Sequence, residues 1–163
     1  MKYIKLSFLS LILLLTINVY AGKPKDTHLK YNITCNGVGK EGYSLVSVCV
    51  FVDKSSEINE DIIKKCAIHG LIFRGFSGNG QDCISQPPLA GSPIAEQEHA
   101  DFFKAFFKDG GPYENYATVI DGSIRTEKFN KQYKITASVS ISKTILRKDL
   151  EKAGVINSLS RGF

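Results

Sequence analysis

The sequence predicts an α+β fold: a two-layer α/β sandwich, with three helices covering one face of a mixed, roughly five-stranded sheet in the order ββαβαββα. Three observations carry that expectation. Residues 43–52 and 131–142 alternate with the period of a strand. The segments after Asn59 and Ser92 open with capping residues and then repeat apolar side chains at helical spacing. Strands and helices interleave with no internal repeat, linker or low-complexity stretch, and helices laid on one sheet face make two layers.

The first element is a strand over 29–35. Leu29, Tyr31, Ile33 and Cys35 point one way, and Lys30, Asn32 and Thr34 the other. "NGVGKEG" then turns the chain. Residues 43–52 place Val46, Val48, Val50 and Val52 on one face. Leu45, Ser47, Cys49 and Phe51 lie on the other, so both faces are largely apolar, as in an interior strand. A hairpin symmetric about Val38–Gly39 would set Cys35 beside Tyr43. Cys35 and Cys49 then lie too far apart to bond and read as free core thiols.

Asn59 caps the first helix, with Glu60 and Asp61 in its positive first turn and Lys64 and Lys65 toward its negative end. Ile58 and Ile63 are spaced as a hydrophobic staple. The helix is expected to stop before Gly70, and "LIFRGF" to follow as a strand. "SGNGQDCISQPPLAGSP" is loop chemistry, since Pro87-Pro88 fits neither a helix interior nor a central strand. Ser92 caps the second helix and Pro93 opens it. His99, Phe102, Phe103 and Phe106 share one face with Phe107 alongside, so this helix is expected to lie across the sheet until Gly110-Gly111-Pro112 ends it.

A short strand around 116–120 comes next, and "GSIRTEKFN" reads as a polar loop. Residues 131–142 alternate cleanly, with Tyr133, Ile135, Ala137, Val139 and Ile141 inward. Ser142 caps the last helix, which is expected to bury Ile145, Leu146, Leu150 and Ala153 before Gly154 ends it. Ile156, Leu159 and Phe163 give the tail an apolar edge.

The N-terminus reads as a signal peptide over 1–21. A basic start with Lys2 and Lys5 precedes an apolar run from Leu6 to Val19, and Val19-Tyr20-Ala21 makes a small-x-small cleavage site. The run is short for a membrane span, which needs roughly 20 apolar residues, so a retained signal anchor is the lesser reading. Residues 22–163 then form a single domain, periplasmic or secreted, with no membrane span after cleavage. Cleavage also removes two lysines from a formal charge of +5. The surplus left is small, with no basic run and no Arg–aromatic interleaving, which argues against nucleic acid as a partner.

Four cysteines in an exported chain permit three complete pairings. The glycine-rich return from Cys66 to Cys83 favours a bridge between these two, with two free thiols as the competing state. Other chemistries fit less well. Cys66-x-x-His69 lacks a third, orienting group for nucleophilic catalysis and a second ligand pair for zinc. "GFSGNG" lacks the Gly-Lys-Ser/Thr ending of a phosphate loop. Glu96-x-x-His99 is a single copy of a motif that di-metal carboxylate sites use twice. No G-x-S-x-G elbow is present. No cofactor, metal or catalytic residue is therefore expected.

Across "CAIHGLIFRGF", "EQEHADFFKAFFKDGGPYENY" and "LRKDLEKAGVINSLSRGF" the chain resembles a set of uncharacterised secreted proteins of Bacteroidetes-type bacteria. The resemblance implies a diderm envelope location and brings no activity or functional residue with it. The expectation is an exported, non-enzymatic binding or interaction module whose partner is an envelope protein or a small ligand. His69, Arg74, Phe76 and His99 are the candidate contact residues. The alternative is a small-molecule-binding or hydrolytic periplasmic protein with a pocket near His69, Arg74 and His99. Oligomeric state is left open.

Overall fold

The long alternating segment near the C-terminus becomes the centre of the sheet. In the computed structural model, which describes residues 30–78, 80, 82–92 and 94–158, strand β5 (Gln132–Ile141) pairs from Tyr133 to Ile141 with the whole of β2 (Ser44–Val52). On its other edge β5 pairs first with β4 (Arg125–Phe129) and then with β3 (Ala117–Val119). β1 (Lys30–Cys35) pairs with β2 and forms the far edge. The proposed signal peptide, Leu29, Pro93, Leu159 and Phe163 lie outside the described residues. Among the described residues no helix is long and apolar enough to cross a membrane.

The α+β class and the five strands stand, but all four strand pairings are antiparallel and the sheet is not mixed. The reason is "LIFRGF". It is not a strand: helix α1 runs through Gly70 and spans Glu60–Phe73. Asn59 accepts a hydrogen bond from the Ile62 N–H at its start, as the sequence predicts. Ile63, Cys66, Ala67, Leu71 and Ile72 are buried against the valine face of β2 and the Ile135–Ile141 face of β5. Gly70 does not stop the helix. A Cβ there would sit 2.8 Å from Ile33 Cδ1, so the glycine lets the helix lie close on β1. Gly75, at φ +65, is where the chain turns away.

The missing fifth strand is β4, read from sequence as a loop. All five of its residues are exposed, so it carries no apolar period to detect. It forms because Asn130, at φ 56, allows a tight return into β5, with Phe129 opposite Gln132.

The phenylalanine-rich segment is two short helices, α2 (Ala95–Glu98) and α3 (Ala100–Phe106), broken at His99. It packs on α1 rather than across the sheet. Phe103 meets Phe73 at 4.9 Å between ring centres. Phe106 and Phe107 meet Tyr116 and Tyr113 of the short 3-10 turn Pro112–Tyr116. The last helix, α4 (Lys143–Lys152), buries Leu146 and Leu150 as expected. Ile145 is 53% exposed and Ala153 is also exposed, while Val155 and Ile156 complete the seal after Gly154.

Candidate functional site

His69 and Arg74 come together because α1 continues past Gly70. Cys66, His69 and Phe73 lie on successive turns of α1, and the close approach at Gly70 brings His69 to Tyr31 on β1. The Tyr31 hydroxyl lies 2.5 Å from His69 Nδ1, and His69 Nε2 lies 3.1 Å from Glu96 Oε1 on α2. Phe73 and Phe107 flank the imidazole at 4.8 and 5.5 Å. The Arg74 guanidinium lies 4.0 Å over the Tyr31 ring and donates through one terminal nitrogen to the Tyr31 carbonyl at 2.9 Å.

Electrostatics fix where the protons sit. Burial pulls the His69 pKa down, outweighing the opposing pull of Glu96, and Arg74 lowers it further. The imidazole is therefore neutral near pH 7. Burial also raises the Tyr31 hydroxyl well above its ordinary range, although Arg74 pulls it down. Tyr31 accordingly donates to Nδ1, and Nε2–H donates to the Glu96 carboxylate. Both ring nitrogens are therefore hydrogen-bonded within the chain.

Cys66 is equally unsuited to nucleophilic chemistry. It is 1% exposed, and burial pushes its thiol up to about 12. The expected Cys66–Cys83 bridge is absent, and Cys35 is not a free thiol: Cys35 and Cys83 are joined, with Cα atoms 5.9 Å apart. Two causes are visible. The hairpin register places Cys35 opposite Val46, not near Tyr43, and the loop after α1 runs back along the outer edge of β1. Cys66 faces the core on the continuing helix. Cys49 is free, as expected.

Phe76 and Gln86 exchange both backbone hydrogen bonds, at 2.8 and 2.9 Å, which sets these two residues side by side in a narrow return. Gly75 is obligatory there, since a Cβ would fall 2.2 Å from the Gln86 carbonyl. Between this return and β1 lies an open cleft of about 510 Å³, lined by Asn32, Ile33, Arg74, Phe76, Ser85 and Gln86 among others. On the far side of Gln86 a second cleft, of about 430 Å³, is lined by Lys143, Arg147 and Lys148 of α4. Lys143 there donates to Gln86 Oε1 at 3.1 Å.

Of the four candidate residues, Arg74 and Phe76 line the first cleft, and His69 supports it from behind through Tyr31. His99 does not join them. It marks the break between α2 and α3, and among the described residues its ring has no hydrogen bond, ion pair or ring contact with His69 or Arg74. Glu96 of the Glu96-x-x-His99 pair turns instead to His69. Tyr31 and Gln86 are not among the candidates that the sequence offers. Tyr31 had a signal, as the one polar-tipped residue on the inward face of the first strand; Gln86 had none. Among the described residues no three His, Cys, Asp or Glu side chains are grouped as a metal site.

Comparison with protein-family models, curated proteins and solved structures finds no match to this chain.

Proposed function

We propose that this chain is an exported, non-enzymatic module of the bacterial envelope that binds another component through the cleft at Arg74 and Phe76. The observation that carries this reading is the cleft's inventory. It has a guanidinium, amides and hydroxyls, a half-buried ring and a strand edge, and among the described residues that line it there is no Cys, His, Asp or Glu. A hydrolytic pocket at His69 draws no support from the cleft, whose lining does not include the imidazole. The signal-like N-terminus and the disulfide support an oxidising compartment.

The test is an NMR titration of the ¹⁵N-labelled protein with fractionated envelope extract from a diderm bacterium. Reversible shifts are expected at Asn32, Ile33, Arg74, Phe76 and Gln86. Shifts confined to other surfaces, or turnover of model esters or peptides that His69→Ala abolishes, would overturn the reading. Cell fractionation tests location, and recovery of the chain in the cytoplasm would remove the envelope assignment.

A further inference from the structure

β1 is an edge strand, and the cleft opens on its unpaired side. In an antiparallel ladder the backbone groups of successive residues alternate between the partner and the free edge. Asn36 N–H donates to the Leu45 carbonyl, which continues the ladder toward β2 and sets the phase. Even-numbered residues of β1 therefore face β2, while Tyr31, Ile33 and Cys35 turn their N–H and C=O groups outward. The outer edge is closed at two points. Arg74 takes the Tyr31 carbonyl, and the Cys35–Cys83 bridge crosses at the other end. Between them Ile33, only 5% exposed where it lines the cleft, has no backbone partner on this edge among the described residues.

We infer that this window receives the C-terminal three or four residues of a peptide, which adds as a strand to β1 and sets its terminal carboxylate on Arg74. The inference rests on the binding reading above and names its ligand class. Length agrees: four residue steps from Tyr31 to Cys35 span roughly 13 Å. Charge agrees: Arg74 has no carboxylate within ion-pair distance among the described residues, and a single one of its donors goes to Tyr31.

Direction follows from the same geometry. A strand running on past Tyr31 would displace the guanidinium from the carbonyl it holds, whereas a strand that ends there meets it with a carboxylate. The peptide runs antiparallel to β1, and one of its residues exchanges both backbone hydrogen bonds with Ile33. Asn32, Ser85 and Gln86 stand along the window to hydrogen-bond its side chains.

The experiment compares two degenerate tetrapeptide pools, both N-acetylated, one ending in a free carboxylate and the other in an amide. Each is equilibrated with the purified protein, separated by ultrafiltration and read by mass spectrometry. Retention of the acid pool is expected to exceed that of the amide pool by about tenfold. In Arg74→Gln the two pools should be retained equally, while Arg147→Gln, in the second cleft, should keep the preference. Hydrogen exchange at the Ile33 amide should slow with the acid pool bound. Equal retention of the two pools by the unmodified protein, or retention of neither, would overturn the inference, and that comparison needs no variant to fold. If both pools pass through while envelope fractions still shift the cleft resonances, the peptide class falls and the binding reading stands.

Discussion

Replacing Gly70 by alanine tests the packing on which the site depends. Two effects oppose each other. Alanine in a helix interior is favoured over glycine by about 1 kcal/mol. The new Cβ, however, would lie 2.8 Å from Ile33 Cδ1, 2.9 Å from Cγ2 and 3.1 Å from Cγ1. The δ-methyl can swing aside, but Cγ2 sits on a β-branched carbon with a stiff χ1. Overpacking of this kind costs about 1–3 kcal/mol. Gly70→Ala should therefore destabilise the fold by about 1 kcal/mol net. Ile33→Ala removes all three clashing atoms at about 2–5 kcal/mol of its own. In that background the same Gly70→Ala change should stabilise by about 1 kcal/mol, because the clash is gone and the helix preference remains. Urea denaturation of the four proteins measures the cycle. Gly70→Ala with the same sign and size in both backgrounds would refute the close-approach argument.

Alkylation of the denatured, unreduced protein should label two thiols, Cys49 and Cys66, and all four after reduction; a different unreduced pair would disprove the Cys35–Cys83 bridge. The Cys35→Ala/Cys83→Ala double variant should lose about 4 kcal/mol of stability to urea, from a separation of 48 residues in the chain-entropy treatment. His69 has its pKa lowered in the fold from 6.5, so the unfolded chain binds its proton first. Its contribution to stability is full above about pH 6.5 and is lost as pH falls through the lower folded value, and urea midpoints of His69→Gln should be flatter across that window. Tyr113 is fully buried and donates to Asp61 in the first turn of α1, so Tyr113→Phe should cost about 1–3 kcal/mol in the same assay.

The parts legible in sequence are those that a local period decides. β2 and β5 each alternate over enough residues to fix which side chains face the core, and Asn59 announces its helix by capping chemistry. The errors share one cause: a residue whose role is set by something distant in sequence. Gly70 reads as a helix stop because glycine often is one; only the position of Ile33, on another strand, makes it a contact residue. β4 has two polar faces and exists because β5 offers it an edge. Cys83 pairs with Cys35 rather than Cys66 because the hairpin register and the path of the following loop both differ from the simplest guess, and neither is written in the spacing of the cysteines.

The same dependence explains why half of the site could be named in advance and half could not. His69, Arg74 and Phe76 draw notice by chemical type, yet their roles come from Tyr31. That residue receives the guanidinium on its ring and carbonyl and donates a hydrogen bond from its hydroxyl to the imidazole. With Glu96 on the other ring nitrogen, both nitrogens of His69 are hydrogen-bonded, and the chain from Glu96 to Tyr31 braces that residue. The brace fixes Tyr31, Tyr31 fixes Arg74, and Arg74 is left with donors facing the cleft that β1 also lines. On the proposed reading, this guanidinium, on which no carboxylate of the described chain is placed, is the group that meets the peptide carboxylate.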